Sequence, residues 1–278
     1  MSNQQAVLVA QISDLHIKAH GKLSYRKVDT LGALRKVIAR LNALQPRPDT
    51  VVITGDLVDF GHESEYQTLK EALQSLDIPF WLLAGNHDDR QMMRRVFADQ
   101  PYLFQQQEFI QWEGECGPLR LLALDSTVPQ QPQGALCAER LGWLAERLSA
   151  EPTRPTLVML HHPPFISGIG HMDRQRLVNP QALAEVIARH PQVERVLCGH
   201  LHRSMHINFA GTLACSAPGV SHQVVFDLRE EGIANFCLEP AGFLLHRWTA
   251  DQGVITHQCV IDAFDGPYPF YDENGLID

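Results

Sequence analysis

The feature that most constrains this fold is a pattern that occurs five times: a short apolar run that stops abruptly at a cluster of Asp, Asn or His. The apolar runs cover residues 7–12, 51–54, 81–84, 157–160 and 196–198. The clusters that follow them are Asp14-Leu15-His16, Gly55-Asp56-Leu57-Val58-Asp59, Gly85-Asn86-His87-Asp88, His161-His162 and Gly199-His200-Leu201-His202. Short, fully apolar runs of this kind are typical of central strands that are buried on both faces of a sheet.

Apolar residues at helical spacing separate these strands and predict an α/β fold. The clearest helix lies between residues 28 and 44, and others are predicted at 64–76, 91–98, 139–148 and 181–188. The alternation implies a mainly parallel sheet covered by helices. Ligands of such sheets collect outside the carboxyl ends of the strands, so the five clusters should form one site. Asp14 and His16 should face the same side if the chain stays extended.

The pattern changes after His202. Short strands separated by turns are predicted at 205–209, 212–216, 223–227, 233–238, 243–249 and 254–261. We expect them to form a second, more antiparallel layer that completes a sandwich. Residues 265–278 are rich in aromatic residues and proline, and should pack on their own domain or on a partner chain. We therefore predict one domain over 1–278, with the motif-bearing core in 1–202 and the completion of the second sheet, a cap and the C-terminal tail in 203–278.

Composition narrows the classes of partner. The formal net charge of −9 argues against a nucleic-acid-binding surface, which would need a basic patch. No apolar stretch approaches the ~18 residues of a membrane span, and the N-terminal run lacks the basic flank of a secretion signal. The six cysteines show no C-x-x-C spacing, which suits reduced thiols in the cytoplasm.

The residue types in the five clusters are those that hold divalent metals. Imidazole, carboxylate and amide oxygen suit zinc, iron, cobalt and manganese. One ion would be held by Asp14, His16, Asp56 and His202. A second ion would be held by Asp56, Asn86, His161 and His200, with Asp56 shared. A hydroxide that bridges two ions ~3.5–4 Å apart would be a nucleophile at neutral pH, and the ions would bind phosphate oxygens.

Several neighbouring residues have open roles. His87 should point into the cavity, where it would either donate a proton to the leaving oxygen or stabilise charge in the transition state. Asp88 is expected to orient a nearby imidazole. Asp59 fits a ligand or a helix cap equally well, and His162 is expected to be structural. Each motif alone is weak, since D-x-H is typical of many surface turns, and the prediction depends on all five in order.

Together these motifs resemble the calcineurin-like metallophosphoesterase superfamily. The likeness runs from about residue 8 to 202 and consists of D-x-H, G-D-x-x-D, G-N-H-D, H-H-P-P and G-H-x-H. Segments 85–89, 159–164, 218–224 and 266–274 are similar to bacterial class III cyclic-nucleotide phosphodiesterases and glycerophosphodiester phosphodiesterases. The resemblance implies a four-layer αββα sandwich with a C-terminal β-rich cap or oligomerisation segment. It also implies the ligand sets above, a substrate contact from His222, and homo-oligomers, dimeric or larger, whose later segments help wall the active site.

Three functions are consistent with this sequence. The first is a binuclear phosphodiesterase that hydrolyses glycerophosphodiesters or 3',5'-cyclic nucleotides. Position 59 does not choose between them, because the glycerophosphodiesterase branch can carry Asn there and this chain has Asp59. The second is a phosphomonoesterase, which the pocket walls, expected in 18–25, 165–174 and 216–222, would distinguish. The third is a non-catalytic scaffold, which typically loses a ligand or the catalytic His, whereas this chain keeps them all.

Overall fold

The computed structural model describes residues 6–277. The strands of this part of the chain are, in order, β1 (Val7–Ile12), β2 (Thr50–Ile53), β3 (Phe80–Leu82), β4 (Trp112–Cys116), β5 (Leu119–Ala123), β6 (Thr156–Met159), β7 (Val193–Cys198), β8 (Met205–Phe209), β9 (Thr212–Ser216), β10 (Gln223–Val224), β11 (Phe236–Cys237), β12 (Gly242–Thr249), β13 (Gly253–Val260), β14 (Tyr271–Asp272) and β15 (Gly275–Leu276). The helices are α1 (Thr30–Ala43), α2 (Glu63–Leu73), α3 (Arg90–Val96), α4 (Ala138–Ala150), α5 (Gly170–Asp173) and α6 (Pro180–Ile187), with 3-10 helices at Ala19–Gly21 and Pro101–Phe104. Residues 1–5, ahead of the predicted first strand, and residue 278 of the predicted tail lie outside this description.

Two large sheets divide the five motif-bearing strands between them. The first has the order β13-β12-β1-β2-β3, with β1, β2 and β3 parallel and β12 antiparallel to β1. The second has the order β4-β5-β6-β7-β9-β8, parallel from β5 to β9 with antiparallel edges. The strands β10 and β11 form a separate hairpin, as do β14 and β15. The clusters after β1, β2 and β3 must therefore meet those after β6 and β7 across two sheets.

Successive side chains of β5, in the second sheet, belong to two different apolar cores, one on each face of the sheet. Leu121 and Ala123 belong to the apolar core shared with the first sheet, whereas Leu122 belongs to a second core. That second core also contains buried residues of α4 and α6, while α1, α2 and α3 contribute theirs to the core of the first sheet. Successive side chains of a strand point to opposite faces, so the second sheet is covered on both sides. The predicted α/β class and the αββα sandwich are confirmed.

One prediction about this architecture is wrong. The strands after residue 202 do not form their own layer, because β8 and β9 extend the second sheet and β12 and β13 extend the first. The strand β12 is largely buried and pairs with β1 over five residue pairs, which closes the open edge of β1. The segment between α3 and β4 contains the 3-10 helix Pro101–Phe104.

The helices α1 and α3 each begin at an aspartate whose side chain caps the first turn. Asp29 caps α1 by accepting a hydrogen bond from the backbone N–H of Gly32 at 2.8 Å. Asp89 caps α3 through the N–H groups of Gln91 and Met92, so this helix starts directly after the G-N-H-D motif. Among residues 6–277, no helix combines the length and the apolar character that crossing a bilayer requires.

Candidate metal centre

The predicted ligands of the first ion lie together. His16 Nε2 is 3.1 Å from His202 Nε2 and 3.6 Å from Asp56 Oδ2. His202 Nε2 is also 3.5 Å from Asp14 Oδ1. All four side chains are buried. Each of these pairs of donor atoms lies within 3.6 Å, so this group could hold a metal after small side-chain movements.

The predicted ligands of the second ion form an adjoining group. His161 Nε2 lies 3.1 Å from Asn86 Oδ1, 3.4 Å from Asp56 Oδ2 and 3.3 Å from His200 Nδ1. Asp56 therefore contacts a histidine of each group through the same carboxylate oxygen. Several overlapping sets of three residues could hold an ion, and one of them is Asp14 with Asp56 and His161. Within each set, the ligand atoms lie within 4.8 Å of one another. The structure thus brings together all seven residues that the motifs singled out.

The backbone is not extended at five of these residues. An extended chain had been assumed for Asp14 and His16 when they were expected to face the same side. The φ angles are 58° at Asp14, 46° at His16, 49° at Asp56, 69° at His200 and 49° at His202. These are five of the ten non-glycine residues with positive φ among the described residues. Such conformations cost about 1–3 kcal/mol each and concentrate at functional sites. The chain turns left-handed after β1, β2 and β7, and there these turns rather than strand alternation aim the ligands.

Two glycines of the motifs are required by close packing. A Cβ atom on Gly85 would lie 2.2 Å from Asp56 Oδ1, and one on Gly199 would lie 2.1 Å from Ser13 Oγ. Real Cβ atoms do not approach other atoms this closely. The loops after β3 and β7 can therefore reach the site only because these positions lack a side chain.

Electrostatics of the two groups favour bound cations. Burial lowers the pKa of His200 well below its usual value and also lowers that of His202, so both imidazoles are neutral, the form that binds metal. Burial alone would raise the pKa of Asp56, but the charges of His161 and His87 hold it well below its usual range. Burial alone would lower the pKa of His161, but the negative charge of Asp56 raises it to about 9. The field at this point is negative and suits a cation.

Unsatisfied ring nitrogens also fit metal. Within the described residues, His200 Nε2 is buried without a hydrogen-bond partner, which costs free energy unless something binds it. His16 Nε2 and His202 Nε2 face each other at 3.1 Å, where one hydrogen bond at most is satisfied. A cation accepts lone pairs from several imidazoles at once, so the donor set fits divalent metal.

Asp59 stands behind the first group. Its carboxylate is 3.3 Å from His16 Nδ1 and 3.0 Å from Lys18 Nζ. The opposite nitrogen of the same imidazole faces His202 and Asp56. A carboxylate on the second nitrogen of a ligating histidine fixes its orientation and raises its basicity. Asp59 lies at the second nitrogen of His16 in this way. It does not cap α2, because the N-cap of that helix is His62.

His87 lies in the cavity beside the first group. Its ring centroid is 4.7 Å from that of His16, and its Nδ1 is 2.8 Å from the backbone oxygen of Asp59. Nδ1 therefore donates to that carbonyl, which leaves Nε2 as the acceptor in the neutral ring. About a third of the side chain is exposed. Such a ring can meet a substrate, whereas His16 and His202 beside it are buried.

Asp88 has a different role from the one expected. Among the described residues, its carboxylate forms no hydrogen bond or ion pair with an imidazole; it accepts hydrogen bonds from the backbone N–H of Gly85 at 2.8 Å and of Leu57 at 3.1 Å, and from Tyr66 Oη at 2.9 Å. Asp88 thus ties the loop after β2 to the loop after β3. Burial, and next the charge of Asp56, raise the pKa of Asp88 to about 6.

His162 is held on both sides, in line with the structural role expected for it. Its Nδ1 is 2.8 Å from Ser126 Oγ, and its Nε2 is 3.2 Å from the backbone oxygen of Pro132. Burial lowers its pKa to about 3. With both ring nitrogens engaged, His162 supports His161 and His200 by packing against their rings.

The two groups open into one cavity of about 210 Å³. His222 lines it, with its ring 4.6 Å from that of His202. Tyr25 and Met172 lie in the segments 18–25 and 165–174, which were expected to form the pocket walls. Asn235 and Phe236 also line the cavity but lie outside the expected segments. Those two belong to the β10–β11 hairpin region, and nothing in a single sequence signals that this hairpin folds over the site.

Comparison with known proteins agrees with the fold and the site. Residues 7–204 match the family model of calcineurin-like phosphoesterases. The chain is 41% identical over 274 residues to a probable glycerophosphodiester phosphodiesterase of Arcobacter nitrofigilis, covering 98% of this chain and 100% of the relative. It is 31% identical over 225 residues to the 3',5'-cyclic adenosine monophosphate phosphodiesterase of Escherichia coli K12, covering 80% and 79%.

A solved structure shows the same fold at low identity. A dimetal phosphatase from Danio rerio superposes with a TM-score of 0.64 and 14% identity, over 92% of this chain and 99% of that protein. The chain belongs to the calcineurin-like phosphoesterase family. The prediction that it is a hydrolase is confirmed by this membership.

Proposed function

We propose that this protein is a phosphodiesterase that uses two divalent metal ions to hydrolyse small phosphodiesters. The observation that carries the proposal is Asp56, whose carboxylate lies 3.6 Å from His16 and 3.4 Å from His161. One carboxylate between two sets of donors is the arrangement that a binuclear site needs. Both sets face the cavity that contains His87 and His222.

The ligand sets follow from the contacts. Asp14, His16, Asp56 and His202 would hold one ion, and Asp56, Asn86, His161 and His200 the other. When bound, such ions lower the pKa of water to ~7 and offset the charge of phosphate oxygens. Iron, manganese, zinc and cobalt all accept this mixture of imidazole, carboxylate and amide.

His87 would act on the leaving alcohol. It lies beside His16, is partly exposed, and has Nδ1 engaged by the carbonyl of Asp59, so Nε2 faces the cavity. A protonated Nε2 there can give a proton to the leaving oxygen or balance the negative charge that develops on it. His222, whose ring centroid is 5.5 Å from that of His16, would contact the substrate phosphate.

The cavity favours a diester over a monoester. Its lining includes no Lys or Arg among the described residues, and its outer wall is uncharged. A monoester dianion gains most where cationic side chains supplement the metals, whereas a diester carries a single charge and two organic substituents. The relatives named as phosphodiesterases act on glycerophosphodiesters or cyclic nucleotides, and we propose the same two substrate classes for this chain.

The test is a comparison of bis(4-nitrophenyl) phosphate with 4-nitrophenyl phosphate on protein stripped of metal and reloaded with manganese, zinc, iron or cobalt. We expect metal-dependent turnover in which the diester is the faster substrate. Glycerophosphoethanolamine and 3',5'-cyclic AMP are then compared to choose between substrate classes. Faster monoester turnover would replace the proposal with a phosphatase. Absence of turnover with two ions bound would indicate the scaffold.

We also propose that the chain, as one domain over 1–278, assembles into a homo-oligomer in the cytoplasm. Phe264, Phe270 and Tyr271 of the C-terminal segment are exposed in the single chain, which suits contact with a second copy. The six free thiols suit a reducing compartment. Light scattering on the full chain and on a Phe270→Ser variant tests the assembly, and a monomeric mass for both proteins would refute it.

A further inference from the structure

One side of the cavity is formed by two aromatic rings from distant parts of the chain. Tyr25 lies in the turn before α1, where its φ is 50°, and Phe236 lies on β11. Their ring centroids are 4.9 Å apart, and their planes are inclined by 31°. Tyr25 is 51% exposed although it lines the cavity. An exposed aromatic face inside a polar pocket is a surface for an organic group.

This pair, the aromatic wall, is anchored on His222. The Tyr25 ring meets the His222 ring at 5.4 Å and 74°, and the Phe236 ring meets it at 5.5 Å and 76°. Both rings thus contact the imidazole edge to face. His222 in turn lies 4.6 Å from His202. The aromatic wall therefore begins where the predicted ligands of the first ion end, within reach of a substituent on a phosphorus atom held there.

The aromatic wall and His87 approach His16 separately. His87 lies 4.7 Å from His16, and His222 lies 5.5 Å from it. Neither ring of the aromatic wall is in ring contact with His87 among the described aromatic pairs. In an in-line displacement the leaving oxygen occupies one apex, and the retained ester oxygen lies in the equatorial plane. With the leaving oxygen at His87, the retained substituent is the one that the aromatic wall can meet.

The chemistry around the aromatic wall is neutral. Val224 and Met172 add apolar surface, and Gln175 and Asn235 add amide groups that donate and accept hydrogen bonds. Among the described residues that line the cavity, Asp56 of the metal centre is the only carboxylate, and there is no Lys or Arg. Such a surface fits a flat, uncharged group with polar atoms at its edge.

We propose that Tyr25 and Phe236 determine which retained substituent the enzyme accepts, favouring a flat aromatic group over a small alkyl group. The inference rests on the proposed phosphodiesterase activity and adds the residues that set its specificity. The bond that breaks joins phosphorus to the leaving oxygen, water supplies the new P–O bond, and the retained alcohol stays on the product monoester.

The test uses two diesters with the same leaving group and the same charge: phenyl 4-nitrophenyl phosphate and ethyl 4-nitrophenyl phosphate. For Tyr25→Ala and Phe236→Ala, we expect kcat/KM to fall roughly 5- to 100-fold with the phenyl substrate, the range found when a stacked aromatic contact is removed. With the ethyl substrate we expect less than about a threefold change, since little stacked surface is lost. Tyr25→Phe, which keeps the ring, should retain the preference of the native protein.

The controls separate specificity from folding and from the activity itself. Phe104→Ala removes an equally exposed ring outside the cavity and should change neither substrate. Phe236→Leu keeps apolar volume and should still lose the preference. Equal losses on both diesters, or no loss on either, would overturn the inference while leaving the phosphodiesterase intact. If the native protein loaded with metal cleaves neither diester, the proposed function fails before any variant is compared.

Discussion

The metal side of the cavity and its aromatic wall are built in opposite ways. On the metal side, Asp14, Asp56 and His161 are almost fully buried, and glycines allow no space for another atom. On the aromatic wall, Tyr25 is half exposed and is held by ring contacts. A closely packed region tolerates no change in volume, whereas an exposed ring can be removed without a cavity. Substitutions on the metal side should therefore alter metal binding and rate, and those on the wall should alter substrate choice.

The largest expected effect comes from removing the shared carboxylate. Asp56→Ala should lose metal and activity together, with kcat falling at least about a thousandfold, because the ions supply several kcal/mol of transition-state stabilisation. His200→Ala should behave alike. Metal content by mass spectrometry and diester turnover measure both effects. Asp265→Ala, in the exposed C-terminal segment, is the matched control. Full activity of metal-free Asp56→Ala protein would disprove a metal-dependent reaction.

A smaller effect is expected at His87, which lies in the cavity beside His16. His87→Gln should lower kcat roughly a hundredfold or more, the usual size of a general acid contribution, while two metal ions stay bound. The loss should shrink for a 4-nitrophenolate leaving group, which needs no proton, compared with an alkoxide. Loss of metal in this variant would show instead that His87 belongs to the ligand set.

Close packing on the metal side predicts opposite outcomes for two glycines. Gly85→Ala places a methyl group 2.2 Å from Asp56 Oδ1 and should cost about 1–3 kcal/mol of stability, as overpacking usually does, with weaker metal binding. Gly142→Ala, in the middle of α4 with no atom within 4 Å of the new Cβ, should stabilise by about 0.5–1 kcal/mol. Chemical denaturation compares the two. Equal behaviour would mean that the metal side is not tightly packed.

The last effect concerns the pH dependence of stability, through a buried histidine on β12. Burial, and next the charge of Arg195, lower the pKa of His246 to about 3, against about 6.5 in the unfolded chain. Between these values the unfolded chain binds the extra proton, so this contribution to stability is complete above pH 6.5 and is lost as the pH falls toward 3. The slope is about 1.4 kcal/mol per pH unit.

The variant His246→Gln tests this contribution. Urea unfolding of metal-free protein between pH 7 and 4 should show a shallower loss of stability in the variant than in the native chain. His190→Gln, a histidine with a partly exposed ring on the surface, is the control. An unchanged slope in His246→Gln would mean that His246 is already protonated in the folded protein.

The metal side could be predicted from sequence because each ligand follows an apolar strand. Short buried strands are recognised by composition, and ligands of such sheets collect beyond the carboxyl ends of the strands, so Asp56, Asn86 and His161 were expected to converge, and their side chains lie together across the two sheets. The left-handed turns at Asp14 and His16 were not predicted. Their cause is long-range: backbone N–H groups of Asp14 and His16 donate to carbonyls of Gly55 and Asp56.

The aromatic wall could not be predicted, and the αββα sandwich with its two sheets was expected only from the family resemblance. Tyr25 and Phe236 have no periodic pattern that links them, and only the folded chain brings them into contact. Asp88 looked like a partner for a histidine because it follows one in sequence, yet its neighbours in space are backbone N–H groups of two loops. Proximity along the chain is a poor guide where loops from different strands meet.

The pairing of β12 with β1 has a consequence for biosynthesis. Every predicted metal ligand lies within the first 202 residues, and the family match ends at residue 204. The central strand β1 nevertheless completes its hydrogen bonds only with residues 244–248. During translation a nascent chain would therefore contain the whole metal centre while β1 still exposes an open edge, a template for aggregation. The last strands, which carry none of the proposed metal ligands, decide when the chain leaves that vulnerable state.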